Sequence, residues 1–463
     1  MANRLVDRTR ELQRLRQVAA APPALVVLRG RRRVGKSYLL RSALSGPRVL
    51  SFQAEQQPLP LQLTAFAREC SRLIPGSPPL AFANWSDGFS FLDGQAKAGG
   101  PLICILDEFQ YLAANDGSLE STIQLWWDRW DHNETPVVLV LSGSALSFMA
   151  GLLGGQAPTH GRSVYRPLLL PLSYRDIAAF APKDASAIEL IERFAVLGGT
   201  PQYQRWGGPG PLRGVIEEVI LSPDAPLHRD PEHLIREEDG IREPGPYFGT
   251  LQAIADGYTT PTEIARRIGA KSAQLSTTYL QRLEELGYVT KMTPLEPGGK
   301  GASRAYWKIS DPYFRFWFRY VLPNSSRLAR GRIKEVAAEI NSNLPTFTGP
   351  ILEDICRDWV GSVSPLGASA HEIGSWWSRK SNIEIDVVAL DKESYTLLGA
   401  CKWWKGPVGE NVLDDLLDAR AALGAKANSA ELALFSKAGF NDKVTTRAQR
   451  EGVHLITVDD LFK

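Results

Sequence analysis

Cysteine is scarce in this chain. Its 463 residues hold four, Cys70, Cys104, Cys356 and Cys401, spaced far apart. They form no CxxC pair and no framework of close spacings, which excludes a disulfide-stapled fold and favours a reducing compartment. Histidine is nearly as rare. None of the six pairs with a cysteine at zinc spacing, so a structural zinc site is excluded. A strong charge of one sign is missing too: 53 basic residues face 51 acidic ones, for a formal net charge of +2. Any nucleic-acid surface must therefore be a local patch. Charge-free stretches long enough for a membrane are limited to Pro136–Thr159. Its scattered glycines and central serines read better as a buried strand, a turn and a short helix. The start, "MANRLVDRTRELQRL", is charged from residue 4 and lacks the apolar centre of a secretion signal. A cytoplasmic protein without membrane contact is expected. No Gly-x-Ser-x-Gly elbow and no dinucleotide fingerprint is present.

What remains is ordinary globular material, 44% hydrophobic and 22% charged. The length suggests about three domains. "ALVVLRG" (24–30) is a short apolar run ending in glycine, the pattern of a buried parallel strand. Gly30, Gly35, Lys36 and Ser37 then satisfy GxxxxGK[ST], and "SYLLRSAL" continues with helical spacing. Glycines let the backbone curl so that successive N–H groups point at phosphate oxygens, and the helix start adds its positive dipole end. In this reading Lys36 reaches the β and γ phosphates and Ser37 holds Mg²⁺, with Arg33, Val34 and Tyr38 completing the cradle. A basic glycine turn would match the same pattern, so a second element is needed.

That element is "PLICILDEFQYL" (101–112), an apolar run leading into Asp107-Glu108. Asp107 is expected to orient Mg²⁺ and Glu108 to polarise the attacking water. An acidic helix cap is the competing explanation. Two further strands are expected, "RVLSFQ" (48–53) and the start of "TPVVLVLSGSALSFM" (135–149), which places Ser142 and Ser144 near the γ-phosphate. Strands alternating with helices give a doubly wound parallel sheet, with ligands beyond the carboxyl ends of its strands.

With these motifs the chain resembles the archaeal-type ATPases, a branch of the AAA+/STAND P-loop NTPases. The resemblance spans nearly the full length. It begins at "LVDRTRELQRL" (5–15), with Arg8, Glu11 and Leu12 matching a box that packs beside the nucleotide base in relatives. It continues through the P-loop, "ILDEFQ", "LSGSALSFM" and "HGRSVYRPLLLPLSYRD" (160–176). The resemblance implies that Arg162, and less securely Arg166, contacts the γ-phosphate, although either also reads as a surface charge. "VLGGTPQYQ" (196–204) is similar to the glycine-x-proline element of STAND proteins, which implies nucleotide contact by Gly199 and Pro201. Read alone, it encodes a helix-ending turn equally well.

"GPYFGTLQAIADGYTTPTEIARRIGAKSAQLSTTYLQRLEELGYVTKM" (245–292) divides into three helices. The second is announced by Thr260 as N-cap, Pro261 at the first position and Glu263 closing a capping box. The third places Leu275, Tyr279, Leu283 and Leu286 on one face. "YVTKM" and "RAYWKIS" follow as two strands around a loop, a winged helix as the resemblance also implies. Gln274, Thr277, Gln281 and Arg282, with Lys300, Arg304 and Lys308 on the wing, are the candidates for DNA contact. Glu284 and Glu285 oppose it, and the basic set also reads as a solvated face. The aromatic run "DPYFRFWFRYV" (311–321) reads as core more readily than as a base-stacking platform.

"SNIEIDVVAL" alternates, placing Glu384 and Asp386 on one face of a strand, and "YTLLGACKW" puts Ala400 and Lys402 on one face of the next. An Asp on one strand and an acid-x-Lys on its neighbour form the core of PD-(D/E)xK nucleases. Glu353, in "GPILEDICRDWV", supplies the helical acid. This chain departs from the pattern at Ala400, which cannot ligate a hard cation. Glu384 projects from the same sheet face and is the one available substitute. A catalytically dead scaffold is the favoured reading.

The expected fold class is α/β. It comprises a P-loop NTPase core at 1–178, a helical lid at 179–240, a winged helix-turn-helix at 241–322 and a nuclease-like α/β domain at 323–463. The expected function is a Mg²⁺-dependent, ATP-hydrolysing molecular switch with ATP and Mg²⁺ as cofactors. The alternatives are a DNA-binding regulator and a DNA-cleaving effector controlled by ATP. DNA contact through the winged helix or the C-terminal domain stays open, as does oligomerisation.

Overall fold

The computed structural model describes residues 5–155, 157–238, 241–299, 305–367, 369–378 and 383–463. Lys300 and Arg304 lie outside the described residues. The chain divides into two compact units: 1–172 with 238–242, and 173–237 with 243–463.

The first unit is built on four parallel strands, β1 (Ala24–Arg29), β2 (Val49–Gln53), β3 (Leu102–Asp107) and β4 (Val137–Gly143), in the order β1-β4-β3-β2. A further segment runs beside β1. Tyr165 and Leu168 bridge to Val26 and Arg29. β1, β3 and β4 are nearly continuous buried runs because helices cover both sheet faces, whereas the edge strand β2 alternates, with Ser51 and Gln53 exposed. On one face Leu25, Val27, Leu50, Phe52, Leu106 and Leu139 pack with Phe66, Trp85, Phe89 and Trp130. On the other, Ala24, Val26, Leu28, Ile105 and Val140 pack with Leu15, Val18, Leu39 and Leu40. The period-two switch between the two clusters along β1 is the pleat made visible. Each fully buried aromatic or branched side chain contributes about 1.5–3 kcal/mol, so this double-sided burial fixes strand register. The charge-free stretch resolves as expected into β4 and a short helix, Leu146–Gly151. No helix among the described residues is long and apolar enough to cross a membrane.

The second unit opens with helices Ala187–Leu197, Pro201–Gly207 and Asp230–Arg236. Gly198 ends the first of them at φ 65°, and Pro201 starts the next at its first position. Three helices, Pro244–Ala255, Pro261–Ile268 and Ala273–Glu285, then precede an antiparallel ribbon of β5 (Val289–Met292) and β6 (Tyr306–Ile309). The capping box at Thr260 and Glu263 is present in full. The third helix is rotated slightly from expectation: Ser276, Leu280 and Leu283 are buried, while Leu275 and Tyr279 are only half-buried. The aromatic run is core, with Tyr313, Phe314, Phe316, Trp317 and Phe318 all buried.

A 30-residue helix, Ile333–Ser362, leads into a five-stranded mixed sheet. Its strands are β7 (Glu372–Trp377), β8 (Glu384–Asp391), β9 (Ser394–Lys402), β10 (Glu431–Ser436) and β11 (Val453–Thr457). The order is β11-β10-β9-β8-β7, antiparallel at the β7–β8–β9 side and parallel at the other.

Candidate functional site

The loop between β1 and the helix Lys36–Ala43 is shaped by steric demands. A Cβ on Gly30 would stand 2.8 Å from the Leu169 carbonyl oxygen, so no other residue fits without moving main chain. Arg33 and Gly35 are left-handed, at φ 68° and 97°. That conformation turns the loop back over the helix start. Val34 is buried beneath the loop. Arg32 donates to the Tyr111 hydroxyl at 2.5 Å. Tyr38, half-buried, lies in the first turn of the helix.

Lys36 is 5% exposed and donates from Nζ to the carbonyls of Gly30 (2.8 Å) and Arg31 (3.2 Å). Burial lowers its pKa, opposed by the charges of Glu108 and Asp107. Ser37 Oγ donates to Asp107 Oδ2 at 2.6 Å. A hydroxyl and a carboxylate turned toward each other are two hard oxygen ligands of the kind Mg²⁺ takes together with substrate phosphates. The residues present fit that ion.

Glu108 is the odd residue of the site. It is left-handed at φ 52°, a position that costs a non-glycine residue on the order of 1 kcal/mol. Its Oε2 accepts from Ser144 Oγ (2.7 Å), Gln110 Nε2 (2.7 Å) and the Ser144 amide (3.3 Å). Burial alone would raise its pKa. The Lys36 charge and the hydrogen bonds from Ser144 and Gln110 outweigh burial and lower it. The group is therefore a carboxylate, able to accept a proton, at neutral pH. The helix-cap alternative fails for Glu108, whose carboxylate contacts run to Ser144, just past β4, and to Gln110.

Ser144 thus grips Glu108, and Ser142 is fully buried in β4. Arg162 forms a two-pronged ion pair with Asp128 at 2.7 and 3.0 Å and also donates to the Pro158 carbonyl. Arg166 donates to the Ser163 carbonyl. Arg8 is 6% exposed, left-handed, bonded to the Leu170 carbonyl and 3.9 Å from Glu11. Sequence reasoning assigned no role to Gln110 or Tyr111. The only local signal was a glutamine two places after the acidic pair.

In the second unit the expected acids do meet. Asp386 Oδ2 accepts the Cys401 amide at 2.7 Å and lies 4.0 Å from Lys402 Nζ. Burial, then the Asp386 charge, pushes Glu353 up to about 7. Glu384 is raised by the same two causes. The compensating charge is Arg357, which bonds the Asp386 carbonyl and lies 3.9 Å from Glu353. Among the described residues no group of three or more His, Cys, Asp or Glu could hold a metal ion.

The wing expectation for Lys308 is corrected. Its ammonium pairs with Asp354, which also takes Arg315 at 2.8 Å and Arg357. Burial lowers Lys308 to about 8 even beside that carboxylate. The reason is a long-range partner: the side chain of Lys308 reaches Asp354 on the long helix and is consumed in an ion-pair network there.

The parallel sheet, the glycine-rich loop at the end of β1 and the paired acids at the end of β3 give the first unit the fold of a P-loop NTPase. A family model described as archaea bacterial proteins of unknown function (DUF234) matches residues 317–413. A curated relative, the uncharacterized protein MJECL04 of Methanocaldococcus jannaschii, is 29% identical over 406 residues, covering 86% of this chain and 87% of its own. Two solved structures are similar at lower identity. A Walker-type ATPase of Pyrococcus abyssi is 19% identical, covering 68% of this chain and 96% of its own, with a TM-score of 0.46. The ORC2 protein of Aeropyrum pernix is 14% identical, covering 70% and 96%, with a TM-score of 0.43.

Proposed function

We propose that this chain binds ATP with Mg²⁺, hydrolyses it, and uses the nucleotide state as a switch acting on the rest of the chain. The observation that carries the proposal is the convergence of Lys36, the Ser37–Asp107 pair and a hydrogen-bonded Glu108 carboxylate at the carboxyl ends of β1 and β3. Loop amides and Lys36 would bind the phosphates, Ser37 and Asp107 would hold Mg²⁺, and Glu108 would take a proton from the attacking water. Bound there, Mg²⁺ would supply compensation of phosphate charge. Arg162 and Pro201 belong to the same reading as nucleotide contacts, and the four-part division at 178, 240 and 322 as its mechanical layout.

We read the helices of 244–285 with β5 and β6 as a winged helix that responds to this switch. The carboxylates of Glu353, Glu384 and Asp386 we read as a scaffold, because Ala400 offers no ligand where the pattern needs an acid and the Arg357 guanidinium lies 3.9 Å from Glu353. ATP turnover by purified protein, with and without duplex DNA, tests the proposal. Mg²⁺-dependent turnover abolished by Lys36→Ala is the expected result. An absence of Mg²⁺-dependent nucleotide binding would end it.

A further inference from the structure

Gln110 is 4% exposed, and its amide is fully committed on one side only. Nε2 donates to Glu108 Oε2 at 2.7 Å and lies 3.2 Å from Ser144 Oγ. Oε1 is buried without a hydrogen-bond partner. Leaving such an oxygen unsatisfied costs about 1–3 kcal/mol. The opposite amide orientation would place Oε1 against the Glu108 carboxylate, which is worse. The chain therefore bears a cost at this position to keep a donor on Glu108.

The neighbouring backbone makes room for that arrangement. A Cβ on Gly143 would come within 2.7 Å of Gln110 Oε1 and 2.5 Å of Met149 Sδ. Glycine at 143 leaves space for the amide, and Ser144 beside it supplies two more donors to the same carboxylate oxygen. Three donors on Oε2 fix the plane of the carboxylate and satisfy that oxygen. They also counter the strain of a left-handed backbone at Glu108.

We propose that Gln110 is a positioning residue: it saturates Oε2 of Glu108 so that Oε1 is the oxygen presented to the attacking water. The inference rests on the proposed ATPase reading. A carboxylate free to rotate would offer either oxygen in many orientations. One held by three donors spends its time near the attack geometry, and loss of that orientation lowers turnover without touching phosphate binding.

The test is steady-state ATP turnover and nucleotide binding by Gln110→Met, which keeps the volume and removes the donor. A thermal melt of each variant reports folding. The expected result is a fall in kcat of about tenfold or more, with KM and nucleotide affinity within about threefold of the unsubstituted protein. Gln110→Asn keeps an amide too short to span the gap and should fall similarly. It replaces Gln110→Met if the latter does not fold. A smaller fall in kcat, or a loss carried by KM, overturns the proposal. Absence of turnover by the unsubstituted protein would instead sink the ATPase reading itself, so the two failures are distinguishable.

Discussion

Ser37 and Asp107, 70 positions apart in the chain, are joined by a 2.6 Å hydrogen bond. The bond ties the helix that follows the loop of residues 30–35 to the end of a strand two places across the sheet. Neither motif predicts the other by spacing alone. Their meeting turns two sequence patterns into one site.

Removing the ammonium of Lys36 should cost phosphate affinity. Lys36→Ala is expected to weaken ATP binding by about tenfold or more, measured by titration calorimetry or a fluorescent nucleotide analogue. Unchanged affinity would contradict the assignment of the loop.

Glu108→Gln keeps the shape of the side chain and removes its basicity. Nucleotide should still bind, while turnover should fall on the order of 10²–10³-fold. Single-turnover measurements separate the two effects. A variant that loses binding and turnover in parallel would indicate a structural role only.

Asp354 pairs with Lys308, Arg315 and Arg357 at once. Burial would raise its pKa, but the three cations hold it well below the usual carboxylate range. Asp354→Ala leaves like charges facing one another in a poorly hydrated place, at a cost of about 3 kcal/mol. Chemical denaturation should show it, with ATP affinity little changed.

Glu353 gives a pH dependence of defined sign. Its folded pKa, about 7, lies above the ordinary glutamate value of 4.5, so the folded state holds the proton more tightly. The stability this group contributes is complete below about pH 4.5 and is lost as pH rises through about 7. Glu353→Gln should flatten that decline and gain on the order of 1–2 kcal/mol at pH 8, read from denaturation curves at several pH values. A steeper decline in the variant would contradict the burial argument.

Local chemistry was legible in the sequence, and distant partnership only where a motif pairs the residues, as for Ser37 with Asp107. GxxxxGKS, the apolar run into Asp107-Glu108 and the Thr260 capping box each depend on neighbours within a few positions, and each appears as read. Lys308 could not be read, because Asp354 lies 46 positions on. The segment beside β1 was also missed as a strand partner. Pro167 interrupts it, yet it sits at the sheet edge, where proline is tolerated. Gln110 matters only once β4 lies alongside β3, a relation that no short-range pattern encodes.

The contact between Gly30 and Leu169 changes what the first letter of the phosphate signature means here. That glycine records a clearance between two passing stretches of main chain rather than a grip on the anion. Shift the neighbouring stretch outward by the width of a methyl group, and a larger residue would fit at position 30 with the loop's path unchanged. A search that demands this letter would then discard a working relative.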